Sequence, residues 1–123
     1  MLRLAAVFFI SMASTAFAQT NRTELKRADL TGTDMEVIIS VLEVPPGNSI
    51  DRHTHPGEEA VYVLDGATLQ FPDGKNVSRP TGEAGINVRD VPHAGYKVVG
   101  DKPLKLLTVH IVDKGKPMTV PAK

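Results

Sequence analysis

The sequence lacks cysteine and tryptophan, and it has no excess of charge of either sign. Without cysteine there is no disulfide and no lipid-modified cysteine, so a bacterial lipoprotein anchor is excluded. The 14 basic and 14 acidic residues cancel, and no basic patch stands out, so binding to nucleic acid is not expected. Stability must come from the core, with metal binding or oligomerisation as further contributions.

A run of about 20 apolar residues, the length that spans a membrane, is also missing. The first residues read MLRLAAVFFISMASTAFA, with a positive charge at Arg3, a short apolar core and the small-residue signature Ala16-Phe17-Ala18. This order is typical of a secretory signal peptide, which we place at residues 1–18, and a membrane anchor is the weaker alternative. The prediction is an exported protein, periplasmic or secreted, with no stable membrane anchor after cleavage.

Short β-branched stretches separated by glycine and proline make up the rest of the chain, and no segment favours a helix. Turn signals recur about every ten residues, which predicts an all-β sandwich or barrel in a single domain, residues 36–113. Residues 19–35 would form an arm or edge strand, and residues 114–123 a surface tail. The predicted strands are Glu36–Val44, Ala60–Leu64, Ala67–Phe71, Lys75–Ser78, Ile86–Val88, Tyr96–Val99 and Leu104–Val112.

The segment around His53 and His55 is the one that points to chemistry. Residues two apart project from the same face of a strand, so the two imidazoles can lie side by side. We expect Pro56-Gly57 to turn the chain and to bring the carboxylate of Glu59 back towards them. Two imidazoles and one carboxylate suit a divalent iron, manganese, nickel or zinc ion. A His-x-His pair alone is weak support, because surface histidines often have this spacing by chance.

The same segment resembles the first motif of the cupin superfamily. That motif is a glycine, five residues, His-x-His, three or four residues, a glutamate, six residues and a glycine. Here Gly47, His53, His55, Glu59 and Gly66 stand at those spacings, and the spacing selects Glu59 over its neighbour Glu58. The resemblance extends over about residues 36–113 and implies a single-domain jelly-roll barrel with an internal metal site.

The second motif of the family is degenerate in this sequence. Its metal-binding histidine corresponds to His93, while its proline, glycine and asparagine correspond to Val88, Asp90 and Lys97. An aspartate at a glycine position can still adopt a left-handed conformation at some cost. The resemblance therefore implies a metal site formed by four side chains, His53, His55, Glu59 and His93.

Three further residues are pocket candidates, each with a simpler alternative. His110 alternates with Leu106 and Thr108 along one strand, so it is either a hydrogen-bonded core residue or part of the pocket wall. Tyr96, three residues beyond His93, either packs in the core or reaches the mouth of the pocket. For Glu58 we favour a surface position over a hydrogen bond to a ligating imidazole.

Two functions fit these residues. The first is a metal-dependent enzyme, dioxygenase-like or a related lyase or isomerase, that acts on a small organic molecule. The second is a non-catalytic module that binds or senses a metal or a small ligand. An enzyme requires an open coordination position and a pocket with polar groups, whereas a storage site would be closed. The resemblance also implies that a homodimer could form through residues 19–35, which would cover open sheet edges.

Overall fold

The computed structural model describes residues 18–123, and only these are discussed below. The predicted signal peptide lies almost wholly outside this range and stays a prediction. The described residues form eleven strands and no helix, which confirms the all-β prediction. Within this range no helix is long and apolar enough to cross a membrane.

The strands differ widely in length, from two to ten residues. In chain order they are β1 (Asn21–Asp29), β2 (Met35–Val44), β3 (Ser49–Ile50), β4 (His53–Thr54), β5 (Gly57–Asp65), β6 (Ala67–Gln70), β7 (Asn76–Arg79), β8 (Ala84–Asn87), β9 (Tyr96–Val99), β10 (Leu104–Asp113) and β11 (Val120–Pro121).

Two antiparallel sheets face each other to form the barrel. The larger has the order β1-β2-β10-β5-β8 and the smaller β3-β9-β6-β7, while β11 and β4 form a separate two-stranded ribbon. Alternation fixes the inner face of each long strand: in β10 every second residue, from Leu104 to Val112, is buried. The apolar core lies between the sheets and includes Val44, Val63, Leu69, Val98 and Leu104.

Strand β5 begins earlier than expected. We expected a turn at Pro56-Gly57, but Gly57 is already the first residue of β5. A Cβ atom at Gly57 would lie 1.9 Å from the carbonyl oxygen of Ile111 on β10, so only glycine allows this close approach of the two strands. The turn prediction is therefore wrong at Gly57, and Glu59 is held well inside a strand.

Both ends of the described chain add strands to the barrel. The predicted arm contains β1, which pairs with β2 alone among residues 18–123, with a register shift between Glu24 and Lys26. A homodimer through its outer edge stays a prediction. The tail is largely exposed, but it is more than a surface segment, because β11 pairs with β4 and thereby with His53.

Candidate metal centre

The backbone brings the predicted ligands together from three segments. His53 lies on β4, Glu59 on β5, and His93 in the loop between β8 and β9. His53 and His93 form an isolated antiparallel bridge: each backbone N–H donates to the other's carbonyl oxygen, at 3.1 and 3.0 Å. Residues paired in this way project to the same side, so their imidazoles are adjacent, with ring centroids 4.4 Å apart.

Left-handed backbone conformations shape the loop that carries His93. Asp90 has φ +59°, which confirms that an aspartate takes the conformation expected of the motif glycine. Its backbone N–H donates to the carbonyl oxygen of His55 at 3.1 Å and ties the loop to the ligand strand. Ala94 also has a positive φ, +62°, at a cost of about 1–2 kcal/mol, and Gly95 follows at +80°. This strained turn directs His93 inward.

The Nε2 atoms of the three histidines converge. Nε2 of His55 lies 3.2 Å from Nε2 of His53 and 3.2 Å from Nε2 of His93. The carboxylate of Glu59 completes the group, with one oxygen 3.6 Å from Nε2 of His55 and the other 3.7 Å from Nε2 of His93. The structure thus places all four predicted ligands in one cluster.

Backbone carbonyl groups determine which ring nitrogen carries the proton. Each Nδ1 lies near a carbonyl oxygen: His53 to Asp51 at 2.6 Å, His55 to Met118 at 2.6 Å and His93 to Val91 at 3.1 Å. A carbonyl can only accept, so Nδ1 must be the protonated nitrogen in each ring. Each neutral imidazole then presents the lone pair of Nε2 to the centre.

Three converging lone pairs, with that of His55 at 3.2 Å from each of the other two, need a positive charge between them. No proton is available within the group if each ring is neutral, and burial favours that state: desolvation lowers the pKa of both His53 and His93. Convergent neutral nitrogen donors with one carboxylate match the ligands of divalent transition metals. The residues therefore fit a metal ion.

The carboxylate of Glu59 is held in its ionised form. Burial alone would raise its pKa, but His110, His55 and Asn87 outweigh that effect and keep the pKa well below its usual range. Nδ2 of Asn87 donates to one carboxylate oxygen at 2.7 Å. Nε2 of His110 lies 2.8 Å from the other, at ion-pair distance but without the alignment of a hydrogen bond.

His110 lies behind the cluster and outside it. Its side chain is fully buried, its ring stacks edge-on against His55, and its close contact is with Glu59. Together with His55 and Glu59 it forms a second group of possible ligands, which shares His55 with the group of His53, His55 and His93. His110 is therefore neither a simple core residue nor part of the pocket wall: it is a core residue that contacts a predicted ligand.

Of the other two pocket candidates, Tyr96 and Glu58, only Tyr96 lies at the cavity. Tyr96 lines the cavity beside the cluster, and burial raises the pKa of its phenol to about 12. Glu58 does not line it, because consecutive residues of β5 point to opposite faces and Glu59 takes the inner one. Glu58 faces outward near Arg89, in agreement with the surface position that we favoured over a place at the pocket. Lys97, which corresponds to the asparagine of the second motif, is exposed.

A cavity of about 590 Å³ opens on the side where the ligands converge. Its wall includes His53, Glu59 and His93 together with polar side chains and several apolar residues of the barrel. Cavities of this size are typical of sites for small molecules. The centre is therefore accessible from one side, and this is the arrangement required of an enzyme.

Sequence reasoning missed three contributors, Asn87, Arg22 and the carbonyl of Met118. Asn87 and Arg22 lie on strands that carry no motif, and a backbone acceptor leaves no trace in the sequence. The one available signal in the sequence was the alternation of polar Asn87 with apolar Ile86 and Val88. In the structure both of these neighbours are exposed.

Residues 40–110 match the cupin domain family, which is more than half of the chain. Among solved structures, an uncharacterised Klebsiella pneumoniae protein with a double-stranded β-helix domain is 19% identical, with a TM-score of 0.62 over 85% of both chains. The DMSP lyase DddQ from Ruegeria pomeroyi is 20% identical, with a TM-score of 0.61 over 84% of this chain and 51% of that one.

The polyketide cyclase RemF from Streptomyces resistomycificus is 29% identical, with a TM-score of 0.53 over 75% of this chain and 65% of that one. No curated protein matches in sequence. These likenesses confirm a jelly-roll barrel of the double-stranded β-helix type. The two named enzymes carry out different reactions, so the fold does not select one.

Proposed function

Since this chain belongs to the cupin domain family, we propose that it is a metal-dependent enzyme acting on a small organic molecule. The proposed site holds one divalent ion through His53, His55, Glu59 and His93. The single observation behind the proposal is the convergence of three Nε2 lone pairs, each fixed by a backbone carbonyl, beside an open cavity.

A bound ion would supply Lewis acidity or, with iron or manganese, redox chemistry with dioxygen. Iron, manganese, nickel and zinc all accept this donor set, and a dioxygenase-like reaction is our first choice among the possible reactions. The chain's own residues prepare the site: Asn87 and His110 hold Glu59 as a carboxylate. The phenol of Tyr96 keeps its proton at neutral pH, because its pKa is about 12, and can donate a hydrogen bond into the cavity.

Access to the site favours an enzyme over a closed storage module. A storage site would surround the ion with protein, whereas here one side faces a cavity of about 590 Å³ with a mixed polar and apolar wall. A sensor that binds a small ligand without turnover would share this opening, so the decisive measurement is turnover.

The test starts from the metal content of the purified protein, measured by mass spectrometry, in the wild type, His53→Gln and Lys97→Gln. Lys97 is exposed on β9 and serves as the matched control. We expect one ion per chain in the wild type and the control, and little bound metal in His53→Gln. Oxygen uptake is then measured with phenolic and thiol substrates. If His53→Gln takes up as much metal as the wild type, the proposed site is contradicted. If the wild type binds one ion but turns over no substrate, the protein is a non-catalytic binding module instead.

A further inference from the structure

Arg22 is the one residue of β1 that is not exposed. Its register partner is the core residue Leu42, so its side chain points to the interior of the barrel. There its Nη1 donates to Oγ1 of Thr108 at 2.9 Å. Thr108 is fully buried and lies two residues before His110 on the same face of β10. A strand that is otherwise on the surface thus sends a guanidinium into the wall of the cavity.

The partner of this guanidinium is a neutral hydroxyl group. Among residues 18–123, every recorded ion pair of an arginine involves Arg27, Arg79 or Arg89, and none involves Arg22. Burial lowers the pKa of Arg22, yet a guanidinium remains charged at neutral pH. A guanidinium has about five N–H donors, and a partly buried cation that uses one of them is costly unless another group accepts from the rest. An anionic ligand in the cavity would do so.

The other charges of the cavity leave it positive. Glu59 is the buried carboxylate in the wall, and a divalent ion bound to it more than cancels its charge. Arg79 is occupied by Glu83 at 2.8 Å. Asp51 and Arg52 are both exposed at the mouth and oppose each other in sign. With the ion in place, Arg22 adds a further uncompensated positive charge, so the cavity attracts an anion.

The wall also has a large apolar part. Leu42, Val61, Leu69 and Leu106 line the cavity, and Phe71 packs edge-on against Tyr96 at 6.0 Å. Such a wall suits a hydrocarbon or aromatic body more than a sugar or an inorganic ion. A planar guanidinium is suited to bind a carboxylate through two parallel hydrogen bonds.

We propose that Arg22 makes this cavity selective for small organic carboxylates with an apolar body, the carboxylate bound by the guanidinium and the body lying against the apolar wall beside the metal centre. This inference names the substrate class of the proposed metal enzyme and rests on that function. It assigns to Arg22 the role of a specificity-determining residue.

The test compares charged ligands with neutral isosteres. Binding of propionate, benzoate and phenylacetate, and of the three matching amides, is measured by calorimetry to the metal-free and the zinc-loaded protein. The variants are Arg22→Gln, Arg22→Lys and the control Lys26→Gln, which removes one exposed positive charge from the same strand. Melting temperature and zinc content are recorded for each variant to verify that it folds and binds metal.

We expect at least one carboxylate to bind the zinc-loaded wild type and Lys26→Gln at least tenfold more tightly than its amide, and the preference to be smaller in the metal-free protein, where the charge of Glu59 offsets that of Arg22. Arg22→Gln should remove about a tenfold to hundredfold preference, the range for one charge-assisted pair, and Arg22→Lys should restore part of it. Carboxylates that bind no better than amides, that bind equally to Arg22→Gln, or that bind to no form of the protein would overturn the inference. A failure of the proposed metal site appears separately, as wild-type protein without zinc uptake.

Discussion

At the scale of single residues, the four histidines differ in what their Nδ1 atoms contact. In His53, His55 and His93 this atom is engaged by a backbone carbonyl, which fixes the tautomer and frees Nε2 for a metal. In His110 neither ring nitrogen has a well-aligned partner among the described residues. This contrast separates three ligands from one supporting residue, although the residue type is the same.

His110→Gln tests that distinction. We expect the metal affinity to fall by about tenfold to hundredfold, as is usual when a residue that supports a ligand is removed, because Glu59 loses the ring nitrogen that lies 2.8 Å from its carboxylate. At saturating metal the variant should still bind one ion, as measured by titration with a competing chelator. Unchanged affinity would make His110 a packing residue, whereas loss of the ion at saturation would make it a ligand.

Acid should release the metal. Desolvation is the main reason why the pKa values of His53 and His93 lie below the usual 6.5 in the folded protein, so both rings are neutral at pH 7. As the pH falls, the same histidines in the unfolded chain take up protons at a higher pH than they do in the folded protein. Unfolding therefore binds protons below about pH 6.5, and the stability contributed by neutral histidines is lost on acidification. Glu59 acts in the same direction, because its pKa also lies below the usual value.

The measurement is a series of metal titrations between pH 8 and pH 5, together with melting curves of the metal-free protein. The melting temperature of the metal-free protein should begin to fall at about pH 6.5, the pKa of histidine in the unfolded chain. Metal affinity should stay constant to a lower pH and then fall, because the pKa values of His53 and His93 are lowered in the folded protein. Equal affinity at pH 8 and pH 5 would be incompatible with histidine ligation.

How far these residues could be predicted depends on whether their spacing is fixed by the backbone. His53, His55 and Glu59 lie within seven residues of each other, and the strand geometry of that segment brings them together. His93 required the resemblance to a known motif. Arg22 reaches the site from a distant strand through its side chain alone, and no periodicity marks it.

At the scale of elements, the C-terminal tail holds the ligand strand. β11 pairs with β4, Ala122 donates its backbone N–H to the carbonyl oxygen of Arg52 at 3.0 Å, and the carbonyl of Met118 accepts from His55. The tail is largely exposed and carries two prolines, so its sequence indicates only a surface segment. Its role follows from backbone hydrogen bonds, which the pattern of side chains in a sequence does not predict.

A chain that ends at Lys116 should therefore bind metal more weakly. Without the carbonyl of Met118, the imidazole of His55 loses the acceptor that fixes its tautomer, and we expect a loss of about tenfold or more in metal affinity. Two controls separate this effect from trivial ones: Met118→Ala retains the carbonyl, and a chain that ends at Ala122 removes only exposed Lys123. Both should bind metal like the wild type. If the chain ending at Lys116 does so too, the tail does not orient His55.

Strand length decided which elements the sequence could predict. Alternation over ten residues makes β2 and β10 clear, and both agree with the expected ranges to within one residue. The strands β3, β4 and β11 have two residues each, too few for any periodicity. Nevertheless β4 carries His53, β11 pairs with β4, and β3 lines the cavity, so the site was harder to predict than the barrel.

At the scale of the whole molecule, the interior divides into an apolar part and a polar part. The apolar cluster consists of side chains from β2, β5, β6, β9 and β10, whereas the other part buries all four histidine side chains wholly or partly, together with Glu59, Thr108 and Ser40. Oγ of Ser40 and the ring nitrogens of His110 have no hydrogen-bond partner among the described residues. Such groups cost free energy, and the chain has no disulfide to compensate.

Metal binding should therefore stabilise the entire barrel. One ion would connect β4, β5 and the loop before β9, which are up to 40 residues apart in sequence. At a free metal concentration of about 100 times Kd, the folded state gains about 2.7 kcal/mol, and the melting temperature of a domain this small rises by roughly 10–20 °C. The measurement is a pair of melting curves, one in excess metal and one after chelation. His53→Gln is the control, and its melting temperature should be the same in both. A wild type that melts at one temperature in both conditions would show that the barrel is stable without the ion, and that its polar interior serves another purpose.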